Sequence, residues 1–449
     1  MSLFGGFTIK KRSLIILKNL RYKLNGFNKG SFIRNVFTVA SGTAIAQLIG
    51  ILFSPLITRI YGPEAFGILG VFASLTSIIG PVVALTYPMA IVLPRDDTEA
   101  KTLAAFSVYI GVSTSVLVSI LLGLFGRDLL SLLNMDVLFP YLIIIPFYLL
   151  LSTFLQVTEQ WIIRKKLFSI KAKVTIYHAL ILNIAKVGMG FYYPVATVLI
   201  VLTTVGQMLN TVLLSMNIKK ELRNENKIKK KLPFRSLAKS YKDFPIYRAP
   251  EMLVNGVTQS LPMLMLTTFF GPASAGFYVI GNRLLSMPAQ IIGKAVGDVF
   301  YPRIAEAVNN KEKASKLVLK ATKLLALVGL IPFGFIILFG PAVFSFTFGT
   351  SWEIAGEYAR WMALWTYFMF LNNPSVRVIP VISEQRFFLL FTNVSLVIRF
   401  GLLIVGAYFF NSDIMAIALF SISGAILNII LIFKVILKCK RFDKINLSF

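Results

Sequence analysis

The sequence predicts an all-α integral membrane protein, with about twelve transmembrane helices arranged as two six-helix lobes. Three observations predict it: apolar runs long enough to cross a bilayer, a one-sided distribution of basic residues, and a turn that occurs twice at matching places. The 449 residues are 56% hydrophobic and 14% charged, with a mean hydropathy of +0.76. A soluble chain of this length needs far more charge to coat its surface. A hydrocarbon core of roughly 30 Å takes about 20 helical residues to cross. Runs of that kind recur at 35–60, 66–93, 102–126, 137–163, 174–193, 194–217, 244–270, 276–301, 321–345, 355–383, 388–410 and 412–434.

The formal net charge of +27 suggests nucleic acid until the basic residues are placed. With the N-terminus in the cytoplasm, eight Lys and Arg fall in 1–34 and ten in 217–243, with further groups at 164–173, 302–323 and beyond Lys434. The opposite loops hold Arg127 beside Glu64, Asp128, Asp136, Glu353 and Asp413. This is the positive-inside pattern. It places both termini in the cytoplasm and makes the charge topological, so no nucleic-acid partner is expected. The expected organisation is a basic N-terminal segment (1–34), an N-lobe of spans 1–6 (35–217), a basic linker (218–243), a C-lobe of spans 7–12 (244–437) and a basic tail (438–449). The lone Cys439 lies in that tail, so no disulfide forms within the chain. No cleavable leader is visible in the first 34 residues. "KKRSLIILKNLRYKL" (10–24) fits an interfacial helix and, equally, a basic tail that fixes orientation.

Gly62-Pro63 and Gly67 match Gly271-Pro272 and Gly276 at a constant offset, and "LPRDDTEA" (93–100) echoes "YPRIAEA" (301–307). Each half therefore opens with a long helix, a tight outward turn, a second helix and a Pro-Arg exit. Six spans per half is an even number, so the halves run the same way, as parallel repeats about an axis near the membrane normal. Transporters of this build bind substrate between the halves. Prolines inside spans, Pro55 and Pro262 among them, fit bent gating helices and also plain packing kinks.

Ionisable side chains inside a span cost at least ~2.5–3.5 kcal/mol each, so they face a cavity or a partner. Six basic residues lie there: Lys186, Arg248, Arg283, Lys294, Arg377 and Arg399. Two acids accompany them, Glu251 and Asp298, spaced to pair with Arg248 and Lys294. Four cations remain, and a cavity with surplus positive charge favours an anion. At about 100° per residue, Arg283 and Lys294 share one stripe of their helix, as do Arg248, Asn255 and Gln259 of the preceding one. Thr43, Gln47, Gly50, Ser54 and Thr58 form a small polar stripe on the first span. That stripe suits a wet cavity wall and also close helix packing. Arg59 falls opposite the stripe and is expected to reach the headgroups. Arg248 also suits snorkelling, and Lys294 with Asp298 suits a structural pair. His178 fits a hydrogen-bonded core histidine better than a proton relay. Trp161, Trp352, Trp361 and Trp365 are candidates for interfacial anchors.

The residues "GTAIAQLIGILFSPLITRIYGPEAFGILGVFASL" with "YPMAIVLPRDDTEA", and "YRAPEMLVNGVTQSLPMLMLTTFFGPASAGFYVIGNRLLSMPAQIIGKAVGDVFYPRIAEA" (247–307), carry a family likeness. They resemble bacterial polysaccharide-export flippases of the Wzx type, within the multidrug/oligosaccharidyl-lipid/polysaccharide exporter superfamily. The resemblance implies two lobes around a central V-shaped cavity in the bacterial cytoplasmic membrane. It implies oligosaccharide on undecaprenyl pyrophosphate as substrate, moved to the outer leaflet for O-antigen, capsule or exopolysaccharide. Membrane lipid and other polysaccharide-assembly proteins are the implied partners. No cofactor is expected, and coupling to protons, sodium or membrane potential stays open. No catalytic constellation, phosphate loop or metal-ligand spacing points to an enzyme. A polymerase of the same pathway would call for a large outward loop, which is missing. A drug exporter of the same superfamily needs buried carboxylates for its cations, and here buried bases outnumber acids.

Overall fold

The computed structural model describes residues 30–222, 233–310 and 312–447, with the side chains of 30–37, 218–222, 288–299 and a few neighbouring positions outside the described set. The stretch 10–24 lies outside the described residues. Among the described residues there are helices and turns and no strand. Lipid offers backbone groups no water, and helices satisfy them segment by segment.

The helix α1 (Gly30–Ile79) covers the first two expected spans. Its limbs meet at Gly62 (φ 70°, ψ 173°), a conformation cheap only for glycine. Pro63 then starts the second limb, where its missing N–H costs nothing. The N-lobe continues with α2 (Asp97–Leu132), α3 (Ile144–Arg164), α4 (Phe168–Gly190) and α5 (Ala196–Leu222). The short α6 (Phe234–Ser240) leads to α7 (Ala249–Phe270) and α8 (Pro272–Asn309), which meet at Gly271 (φ 85°, ψ 179°) as the limbs of α1 meet at Gly62. The C-lobe is completed by α9 (Ala314–Phe348), α10 (Glu353–Leu371), α11 (Asn373–Val378), α12 (Gln385–Phe410) and α13 (Asp413–Leu447). Six of these helices are long and apolar enough to cross a membrane by length and composition alone. The count of twelve rests on reading α1 as two spans and including helices that carry charge, such as α4 and α8.

Several spans differ from the sequence reading in their ends. The second span, expected to reach residue 93, stops at Ile79 and gives way to 3-10 turns Gly80–Val82 and Tyr87–Val92. Leu85 and Thr86 between them are left-handed (φ 47° and 57°). This knot is held from outside: Thr86 Oγ1 donates to the Phe244 carbonyl (3.0 Å), and the Tyr87 hydroxyl to that of Ala238 (3.4 Å). The segment before α7 therefore docks on the N-lobe. Within it the Tyr241 hydroxyl donates to Glu99 Oε1 (3.0 Å); burial first, and that bond second, push its pKa up to about 12. The expected span 355–383 breaks at Asn372, just before Pro374, which cannot continue the hydrogen-bond ladder. The last helix continues well past residue 434 into the expected tail. Asp443 on that extension accepts from the backbone N–H groups of Ala314 (2.8 Å) and Ser315 (3.0 Å), capping α9. Cys439, one turn earlier, is buried.

The two lobes meet at the end that carries the Gly-Pro turns. A Cβ on Gly67 would overlap the Pro272 carbonyl, and one on Gly276 the Pro63 carbonyl. The repeated turns thus pack reciprocally against each other, glycine of one on proline of the other. Beside them Trp352 is fully buried, edge-on to Phe66 (5.5 Å between centroids) and Phe277 (6.2 Å). Its Nε1 donates to the Thr58 carbonyl (3.1 Å), and Arg59 Nη2 donates to the Phe346 carbonyl (2.7 Å). Both bonds join the first limb of α1 to the α9–α10 connection. Arg59 stays exposed and also bridges the lobes, while Trp352, one of four candidate interfacial anchors, is fully buried in an aromatic slot between them.

Candidate substrate cavity

The face of α1 that reads Thr43, Gln47, Gly50, Ser54 lines a cavity of about 360 Å³. A stripe of α4 faces it, with Thr175, His178, Asn183 and Lys186 at helical spacing. Into this N-lobe cleft reaches one side chain from the C-lobe, Arg283 of α8. A Cβ on Gly50 would stand 2.7 Å from Arg283 Nη2, so the missing side chain at 50 gives the guanidinium its seat. The floor carries Phe66, Leu69 and Leu199. Among the described residues no carboxylate lines the cavity. Neither Arg283 nor Lys186 has an acidic partner among the described residues, so the space holds two uncompensated cations beside amide and hydroxyl donors. Such a lining favours a phosphate or another anion with hydrogen-bonding groups. Among the described residues no cluster of His, Cys, Asp and Glu could hold a metal ion.

The remaining candidates are placed apart from this cleft. Arg248 and Glu251 form the expected ion pair (2.7 Å) on an exposed face of α7. Asn255 and Gln259 follow on the same helix, exposed, with Gln259 Nε2 donating to Asn255 Oδ1 (3.1 Å). Lys294 and Asp298 sit on α8 in the stretch whose side chains lie outside the described set. Arg377 lines a second, larger cavity of about 740 Å³ in the C-lobe. Arg399 lies inside that lobe, clamped between Trp365 and Phe420 with its guanidinium carbon 4.0 Å from both ring centroids. Its Nε and Nη2 have no hydrogen-bond partner. A cation held between two aromatic faces is stabilised by their quadrupoles, which substitutes in part for the missing acid.

Sequence reasoning passed over two lining residues, Thr175 and Asn183. Their signal is the three- to four-residue spacing that connects them through His178 and Ala179 to Lys186. His178 was read as a core residue. It does line the cavity, with its Nε2 close to the α5 backbone at Gly206.

This helical fold is shared with solved structures of low sequence identity. The chain aligns with an inward-facing multidrug resistance MATE family transporter at a TM-score of 0.68 and 15% identity, covering 89% of this chain and 96% of that one. It aligns with the lipid II flippase MurJ in an inward closed conformation at a TM-score of 0.69 and 14% identity, covering 91% and 90%. Residues 56–356, well over half of the chain, match the polysaccharide biosynthesis protein family, and the chain belongs to that family. A curated relative, the succinoglycan biosynthesis transport protein ExoT of Rhizobium meliloti (strain 1021), is 28% identical over 113 residues. That stretch is 25% of this chain and spans only 23% of the relative's length.

Proposed function

We propose that the chain is a flippase that carries undecaprenyl-pyrophosphate-linked oligosaccharide repeat units from the inner to the outer leaflet of the bacterial cytoplasmic membrane. The units feed a surface polysaccharide (O-antigen of lipopolysaccharide, capsule or exopolysaccharide), and the likeness to a succinoglycan transport protein makes an exopolysaccharide the first product to test. Both termini face the cytoplasm in this reading, with the N-lobe at 35–217, the C-lobe at 244–437 and the basic linker between them. The Gly-Pro end then faces outward, and its closure leaves the cleft to be reached from the cytoplasmic side. Arg283 and Lys186 hold the pyrophosphate, with Gln47 beside them. Arg399, Arg248, Lys294, Arg377, Asn255 and Gln259 are further candidates along the path, with Glu251 and Asp298 as charge partners. Rocking of the lobes exposes the cleft to one side and then the other. The protein binds and releases without making or breaking a bond and needs no cofactor, and whether the cycle is coupled to protons, sodium or the membrane potential stays open.

One observation carries the reading: an acid-free cleft, shared by both lobes, with two unpaired cations. A drug exporter for organic cations would need the opposite sign there. The test is deletion of the gene followed by mass spectrometry of the lipid extract. Accumulation of a lipid-linked oligosaccharide facing the cytoplasm is expected. A deletion strain with normal surface polysaccharide and no accumulated intermediate overturns the reading.

A further inference from the structure

The larger C-lobe cavity has a composition that the cleft at Arg283 does not. Among the described residues one wall is apolar, built by Met369, Phe370, Ile379 and Phe388, the amides of Asn372, Asn373 and Gln385 line the rest, and Arg377 is the one charged side chain. The space exists because α10 stops at Leu371 and α11 restarts at Asn373, which leaves a gap between the helix ends and α12. Arg377 is exposed and has no hydrogen bond or ion pair among the described residues. Its position is close to the basic end of the lobe, where Glu384 and Lys438 pair at 2.8 Å. A lone guanidinium over an apolar wall calls for an amphiphile whose charge is negative and whose adjoining part is hydrocarbon.

The two cavities share one helix, α8. Ser286 lines the larger one and Arg283 the smaller one, three residues apart on α8. At a rise of ~1.5 Å per residue they are about 4.5 Å apart along the axis. One helix thus contributes a wall residue to the larger cavity and the cation of the smaller one.

We propose that the larger cavity is a loading station. In it Arg377 grips the phosphate of the isoprenoid-linked substrate while the first isoprene units lie on the Met369, Phe370, Ile379 and Phe388 wall. The head then passes along α8 to Arg283 and Lys186. This inference rests on the flippase reading and adds an ordered, separate first site to it.

The test uses the full chain in nanodiscs of phosphatidylcholine and measures binding of undecaprenyl pyrophosphate, inorganic pyrophosphate and phosphatidylglycerol by native mass spectrometry. The wild type is expected to take up undecaprenyl pyrophosphate in preference to the other two. Arg377→Gln is expected to weaken that binding about tenfold, the worth of one charged contact, and Arg377→Lys to restore part of it. Arg283→Gln, which acts at the second site, is expected to remove a second bound equivalent and to abolish flipping in proteoliposomes, with the first equivalent retained. Equal binding by Arg377→Gln and the wild type overturns the loading station while leaving the flippase reading intact. So does a wild type that binds a single equivalent which either substitution removes, since that would make the two stations one. Equal occupancy by phosphatidylglycerol identifies an ordinary lipid site, and equal binding of inorganic pyrophosphate removes the role of the apolar wall; either overturns the proposal. A wild type that binds no undecaprenyl pyrophosphate at all defeats the flippase reading itself.

Discussion

Gly50 shows how much one missing side chain can decide. The Arg283 guanidinium rests where a Cβ at 50 would be, 2.7 Å away, and its partner in that contact is the far end of a flexible side chain. Gly50→Ala therefore leaves the backbone in place and pushes the guanidinium aside. The expected outcome is a protein with wild-type expression and thermal stability whose transport falls about tenfold or more, since about 1.4 kcal/mol of lost contact is a factor of ten. Complementation of a deletion strain, read as surface polysaccharide, checks it. Wild-type polysaccharide from Gly50→Ala would mean that the seat of Arg283 does not matter. The sequence carried Arg283 and Gln47 as polar positions inside apolar helices, which cost too much to be accidental. It was mute on Gly50 as a seat, because that role depends on a residue of the other lobe, more than two hundred positions away. The same holds for Arg399. Its place inside a span was legible, but the aromatic clamp of Trp365 and Phe420 comes from two other helices.

At the scale of elements, apolar runs located nearly every helix, and the failures fell where a polar bond overrides the hydrophobic pattern. The knot at 80–92 is as apolar as the helix before it, yet Thr86 and Tyr87 leave the helix to bond to the segment before α7. The break at Asn372 was foreshadowed by Pro374, and Asn372 Nδ2 donates to Asn428 Oδ1 (2.9 Å) across to α13. The overlong last helix has a similar cause. Asp443 holds both carboxylate oxygens on the first backbone N–H groups of α9 and is itself only 6% exposed. Substitution of such a cap costs ~0.5–2 kcal/mol. Asp443→Ala is therefore expected to lower the thermal midpoint of the detergent-solubilised protein. Asp443→Asn, which keeps one acceptor, should fall between. An unchanged midpoint for Asp443→Ala would show that the helix extension carries no stability.

At the scale of the molecule, the repeat in the sequence foretold two like lobes, but the contact that closes them breaks the symmetry. The Gly-Pro turns meet reciprocally, whereas the bonds of Trp352 to Thr58 and of Arg59 to Phe346 have no counterpart across the axis among the described residues. One lobe thus holds the other by an asymmetric bolt, with Trp352 and the Phe346 carbonyl from the C-lobe and Arg59 and the Thr58 carbonyl from the N-lobe. Trp352 fills a slot between Phe66 and Phe277, and its removal deletes a buried indole whose truncation costs ~3–5 kcal/mol in a packed core. Part of that cost falls on the closed arrangement only, because an outward-open one would separate Phe66 from Phe277. Trp352→Ala is therefore expected to shift the population toward outward opening, and even ~1.4 kcal/mol of the difference changes it tenfold. The measurement is labelling of Gln47→Cys, in a Cys439→Ser background, by a membrane-impermeant thiol reagent added outside intact cells. Labelling should be slow with Trp352 present and faster by about an order of magnitude without it. Trp352→Phe separates the parts: it keeps most of the packing and loses the bond to the Thr58 carbonyl, so an intermediate rate assigns part of the closure to that bond. If Trp352→Ala leaves external labelling at the wild-type rate, the reciprocal glycine–proline contacts close the molecule on their own, and the asymmetric bolt is packing without control of access.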